Sequence, residues 1–216
     1  MSENHPASLT LDRLKAYSDS IFAFAVTLLV YNIVVPTITN PLDGSELFMK
    51  LVGQWQVFLT YFLSVALIGI FWIGHTIMLH FIVRADRKFY WLNTLLVASI
   101  AILPFPTSIL AKYPDNSTAL RVYGGVLFFT SMIFSYMWHF ASKNHHLIEK
   151  NLPNKTIELG KKVVFFAPII YFLGIVSTFF SIRFCQILFL LIPMLYLIPS
   201  PIDKLVKQIG NNEREN

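Results

Sequence analysis

Asp19 is the residue in the N-terminal stretch that most needs a chemical explanation. It stands at the head of an apolar run from Ile21 to Val35, interrupted by Thr27 and Asn32 and closed by Pro36. A carboxylate this close to hydrocarbon is costly unless it is paired or faces water. Paired, it is structural. Facing water, it attracts cations or passes a proton. His75, inside a second apolar run, is a candidate partner, directly or through Ser18, and Arg13 is another. Asp19 and His75 together could also carry the proton relay of a secondary transporter. A metal site is a third use of the same residues, with His80 added. Five residues put His80 about 140° round a helix from His75, whereas zinc asks for three or four convergent ligands. No HExxH is present, so no metal is expected.

Other chemistry finds little support. There is no GxxxxGK[ST] loop, no GxGxxG motif and no specific Ser-His-Asp arrangement, so neither a nucleotide cofactor nor an enzymatic activity is expected. The single cysteine, Cys185, lies in an apolar run and excludes an intrachain disulfide. A net charge of +5 suggests nucleic acid in a soluble chain. Here 55% of residues are hydrophobic and 13% charged, which places the chain in a bilayer instead.

The elements that must position Asp19 are membrane spans. Six are expected, at about 17–38, 54–83, 90–110, 123–141, 163–180 and 182–198. Each is long and continuous, as helices are; barrel strands are short and alternating. A tight turn joins the last two. Residues 1–16 and 200–216 are then a cytoplasmic N-terminus and a cytoplasmic polar tail around the transmembrane unit 17–199. Met1 to Ser8 lack the pattern of a cleavable leader, so the first span is expected to serve as the insertion signal. Lys and Arg divide thirteen to four between alternate loops. One side has Arg13, Lys15, Arg84, Arg87, Lys88, Lys143, Lys150, Lys155, Lys161, Lys162, Lys204, Lys207 and Arg214. The other has Lys50, Lys112, Arg121 and Arg183. The richer side is the cytoplasmic one, so both termini are expected there. Asn40–Lys50 is expected to be an external loop.

Within the first span, Phe24, Leu28 and Tyr31 are four and three apart and share a helix face. Thr27 lies beside them. Two readings stay open: an apolar pore wall with a polar mouth at Ser18 and Asp19, or bulky side chains packing on neighbouring helices. No TVGYG-type carbonyl filter is present, so a pore would have to select with side chains. Pro104 and Pro106 kink or end the third span, and Pro168 and Pro193 mark bends in the fifth and sixth.

Arg13-x-x-x-Tyr17-Ser18-Asp19 resembles the RxxxFSD signature of the transmembrane protein 175 family of potassium channels. Trp72-x-x-His75 resembles that family's second-helix pattern, and Asn93 with Leu103–Thr107 (LPFPT) its third helix. The likeness covers mainly residues 10–110. It implies an all-α membrane protein, six helices per subunit, assembled as a homotetramer in the cell membrane. The first helix lines a central pore that passes potassium passively, without a cofactor. Selection then falls on rings of apolar side chains at Phe24, Leu28 and Tyr31 with a threonine layer at Thr27. Arg13, Ser18, Asp19, Trp72 and His75 become the network that fixes this helix. Tyr17 stands where the family has Phe. Phe24 stands where it usually has Ile or Leu, filling more space and offering ring faces to cations.

Overall fold

The structure, a computed structural model, describes residues 10–197; the expected polar tail and the first nine residues lie outside them. The described residues are mostly helical: α1 Leu11–Leu29, prolonged by a 3-10 turn at Val30–Asn32, then α2 Gly44–Gly53, α3 Trp55–Phe81, α4 Arg87–Ala101, α5 Pro104–Lys112, α6 Ser117–Ser142, α7 Asn154–Ser177 and α8 Ile182–Leu197. Among the described residues, five stretches are long and apolar enough to cross a bilayer: Leu11–Asn32, Trp55–Phe81, Arg87–Lys112, Ser117–His145 and Asn154–Ser177. α8 is apolar but has 16 residues, about 24 Å of helix against a hydrocarbon core of about 30 Å. This is a multi-pass membrane protein.

Capping residues set the boundaries, and they move several expected ends. Thr10 accepts from the Arg13 N–H and starts α1 at Leu11, six residues before the expected entry. At the other end Ile33 is already extended, so the helix does not reach Ile38. The expected external loop at Asn40–Lys50 is largely α2. The Asp43 carboxylate accepts from the Ser45 and Glu46 N–H groups at 3.0 and 3.1 Å and turns the chain into a helix there. The Ser45 hydroxyl and these two N–H groups hold the Asp43 carboxyl below its usual value. Asp86 and Asn116 cap α4 and α6 in the same way. α7 begins at Asn154, so Lys155, Lys161 and Lys162 ride on a helix rather than in a loop.

Pro104 and Pro106 do not end the third crossing. The path bends at Ile102 and Leu103, and Pro104 opens α5 at the position where its missing N–H costs least. Thr107 turns its hydroxyl back to the Leu103 carbonyl at 2.8 Å, so that carbonyl does not face a cavity. Ser64 joins Thr107 and Tyr123, each at 3.0 Å, knitting α3, α5 and α6 where the bend would otherwise be loose.

The core has two stacked parts. One gathers Phe22, Ala25 and Leu29 of α1 with Leu67, Ile68 and Phe71 of α3 and residues of α4 to α8. The other surrounds Leu14, Met78, Phe89, Leu96, Met137 and Trp138. Glycines let α6, α7 and α8 close up. A Cβ on Gly124 or on Gly174 would meet the Phe189 ring at 2.5 Å. Small residues at crossings are a general device for packing helices in lipid.

Candidate functional site

α1 has a committed face and an uncommitted one. Leu14, Ser18, Phe22, Ala25 and Leu29, spaced four, four, three and four, are buried against the bundle. Ser20, Phe24, Thr27 and Tyr31 point away from it and are exposed, Phe24 by 59% and Tyr31 by 80%. At 100° per residue these four fall within an arc of about 60°. Leu28 flanks them, half-buried. The face that spacing assigned to Phe24, Leu28 and Tyr31 therefore points outward, and Thr27 lies on it rather than beside it. Phe24 and Tyr31 stay largely exposed among the described residues, so the packing alternative finds little partner there.

The committed face is held by an amide that the sequence pattern marked only by resemblance. Asn93 of α4 is fully buried. Its Nδ2 donates to Ser18 Oγ at 2.9 Å, and its Oδ1 lies 2.8 Å from His75 Nε2. Ser18 Oγ in turn donates to the Leu14 carbonyl at 2.9 Å. With the amide in this orientation His75 must donate, so Nε2 carries its proton. One side chain thus ties α1, α3 and α4. The buried polar groups in it are mutually satisfied, as a low-dielectric interior requires.

Asp19 is partnered elsewhere. Its Oδ1 accepts from the Trp72 indole N–H at 2.8 Å. The expected Asp19–His75 contact is replaced by two separate ones, because Asp19 lies 100° round from Ser18 and meets α3 one turn before His75. This also breaks the expected relay. An indole N–H donates but cannot accept and pass on a proton, and an amide separates His75 from Ser18. The residues brought together are thus Ser18, Asp19, Trp72 and His75, with Asn93 added.

Arg13 stands outside this cluster. Its side chain is exposed and has no ion pair or hydrogen bond among the described residues. It borders a cleft of about 780 Å³ between α1 and α4, shared with Tyr17, Arg87, Trp91 and Thr94. His80 is exposed on another side of α3 from buried His75. Among the described residues no three His, Cys, Asp or Glu side chains converge as metal ligands would.

Comparison with known proteins sets this geometry in a family. The profile described as "Endosomal/lysosomal potassium channel TMEM175" matches residues 13–104, the stretch that holds α1, α3 and α4. A potassium channel of Streptomyces collinus is 33% identical over 141 residues, covering 63% of this chain and 67% of its own. The chain belongs to the TMEM175 family. A potassium channel of Chamaesiphon minutus is 29% identical over 180 residues, 82% of this chain and 88% of the relative. The crystal structure of a lysosomal potassium-selective channel TMEM175 homolog from that organism superposes with a TM-score of 0.75 at 27% identity, covering 87% of this chain and 96% of that one. The human relative carries a different description, "Endosomal/lysosomal proton channel TMEM175". It is 32% identical over 139 residues, which is 60% of this chain and 28% of the human protein.

Proposed function

We propose that this chain is one subunit of a homotetrameric potassium channel of the cell membrane, conducting passively through a central pore lined by α1. The observation that carries the reading is the uncommitted face of α1. A helix whose back is packed and whose front leaves Ser20, Phe24, Thr27 and Tyr31 exposed among the described residues is ready for a central axis. The potassium descriptions of the Chamaesiphon and Streptomyces relatives supply the ion.

In this reading Phe24 forms the main constriction. Four phenyl rings exclude water when they close, a gate that works by dewetting. When they part, their faces attract a cation. Leu28 and Tyr31 continue the wall, and Thr27 supplies oxygen. Ser18, Asn93, His75, Asp19 and Trp72 hold the helix rigid, so the ring diameter is set by packing behind it. This reading takes α8, apolar though only about 24 Å long as described, as a sixth crossing; both termini would then lie on the cytoplasmic side, in keeping with the Lys and Arg excess there.

The test is ion flux into liposomes under a potassium gradient, with a protonophore-controlled proton readout beside it. Wild type, Phe24→Ala and Thr27→Val are compared at matched tetramer content. The reading expects passive potassium flux whose size or selectivity changes in both variants. Flux of protons alone would move the assignment to the ion named for the human relative. No flux from wild type or Phe24→Ala in an assembled protein would remove the channel reading.

A further inference from the structure

Ser20 is the one member of the outward face of α1 without an assigned task. It lies one turn before Phe24 and about 10 Å along the helix from Thr27. Ser20 and Thr27 behave alike. Ser20 Oγ donates its proton to the Ala16 carbonyl at 2.8 Å, and Thr27 Oγ1 donates to the Phe24 carbonyl at 2.7 Å. A hydroxyl has one proton and two lone pairs. Both protons are spent inward on the helix, so both residues present only acceptor oxygen to the open face. That is the polarity a cation wants and an anion does not. The neighbours Ala16 and Ala23 are small, and Ser20 itself is exposed. The nearby carboxylate of Asp19 is held by Trp72 on another side of the helix. Arg13 borders the cleft beside α4.

We propose that Ser20 forms a second cation-accepting layer, on the N-terminal side of Phe24 and matching Thr27 on the far side. The two oxygen rings bracket the aromatic constriction, so a monovalent cation that has shed part of its water meets oxygen immediately before and after the apolar step. The inference rests on the reading of α1 as the pore helix, and the two fail differently.

The experiment is single-channel recording in planar bilayers with potassium, using Ser20→Ala, Ser20→Thr, Ser20→Cys and Phe24→Ala. Ser20 is exposed and Ala is the better helix former, so the fold is retained. Ser20→Ala removes the whole ring and should lower the current of ions arriving from the N-terminal side at least about two- to tenfold, the range for a net loss of one ordinary oxygen contact per passing ion. Current in the other direction should fall less, and Ser20→Thr should restore both. Ser20→Cys should react with a cationic methanethiosulfonate added on the N-terminal side and lose current. The native thiol, Cys185, is buried, so the background is silent. Unchanged current in Ser20→Ala overturns the inference, whether or not Ser20→Cys reacts. If Phe24→Ala still alters the current, the pore helix stands. If neither position affects conduction, the pore-helix reading itself is lost.

Discussion

The two faces of α1 are made from similar residue types and treated in opposite ways. On the back, Ser18 is fully buried and its hydroxyl both donates and accepts within the bundle. On the front, two residues further on, Ser20 is exposed and answers only to its own helix. Phe22 is buried against the His75 ring, with centroids 5.7 Å apart, while Phe24 is 59% exposed. A helix that only packed would show one such face. A helix that only anchored in lipid would not need fully satisfied polar groups behind it. The difference is one of packing: the back is fixed in the bundle, and the front is left exposed among the described residues.

The sharpest way to break this comparison is to damage each face in turn. Asn93→Leu strands the His75 N–H in the core. An orphaned buried donor costs roughly 1–3 kcal/mol, so the thermal midpoint in detergent should drop by several degrees and the yield of folded protein with it. Adding His75→Leu should recover part of the loss, since replacing both partners with apolar groups is far gentler than removing one. Phe24→Ala should change conduction while leaving the thermal midpoint nearly where it was. If Phe24→Ala destabilises as much as Asn93→Leu, the front face is packing after all.

A smaller effect is expected at the edge between the faces. Trp72→Phe keeps the ring and deletes the indole donor to Asp19. Trp72 is 44% exposed, so water replaces part of the lost bond and the cost should stay near 1 kcal/mol. Asp19, now free to turn, should raise cation conductance slightly if it reaches the vestibule. A stability loss as large as that of Asn93→Leu would mean that Asp19 belongs to the buried cluster rather than beside it.

The front face of α1 was legible because helical spacing needs no tertiary knowledge. Phe24, Leu28 and Tyr31 line up in any α-helix. The partner of Asp19 was not legible, because it depends on how α3 slides along α1. A shift of one turn decides between His75 and Trp72. Asn93 was visible only as part of a resemblance, since a lone Asn in an apolar run does not say which helices it joins. α2 was missed because Pro41, Asp43 and Gly44 look like a loop. Asp43 followed three residues later by Glu46 is a helix-start signature, and it was the available signal. Nothing in the sequence sets Ser20 apart from Ser18 and Asp19 beside it, which carry the RxxxFSD-like pattern.

The smallest effect lies where the bundle is tied together outside the spans. Asp86 caps α4 through the Phe89 N–H at 2.8 Å and meets the His146 ring at 3.0 Å. The same loop pair is joined by Arg84 to the His146 carbonyl. Burial pushes the Asp86 carboxyl up, but the Phe89 N–H and His146 outweigh it and hold it below the usual carboxylate value. A depressed carboxylate contributes stability that is complete above its unfolded value and disappears as pH falls through the folded one. The thermal midpoint should therefore decline below a pH of about 4. Asp86→Asn keeps a competent cap but cannot titrate, so its midpoint should be slightly lower at neutral pH and flatter across that acid range. Both groups are well exposed to solvent, which keeps the difference small. An unchanged acid slope in Asp86→Asn would assign the decline to other carboxylates, such as Asp43 and Glu46. Glu46 too is held below its usual value, by Lys50 and by the Thr39 N–H. The acid sensitivity would then belong to the loop that opens α2.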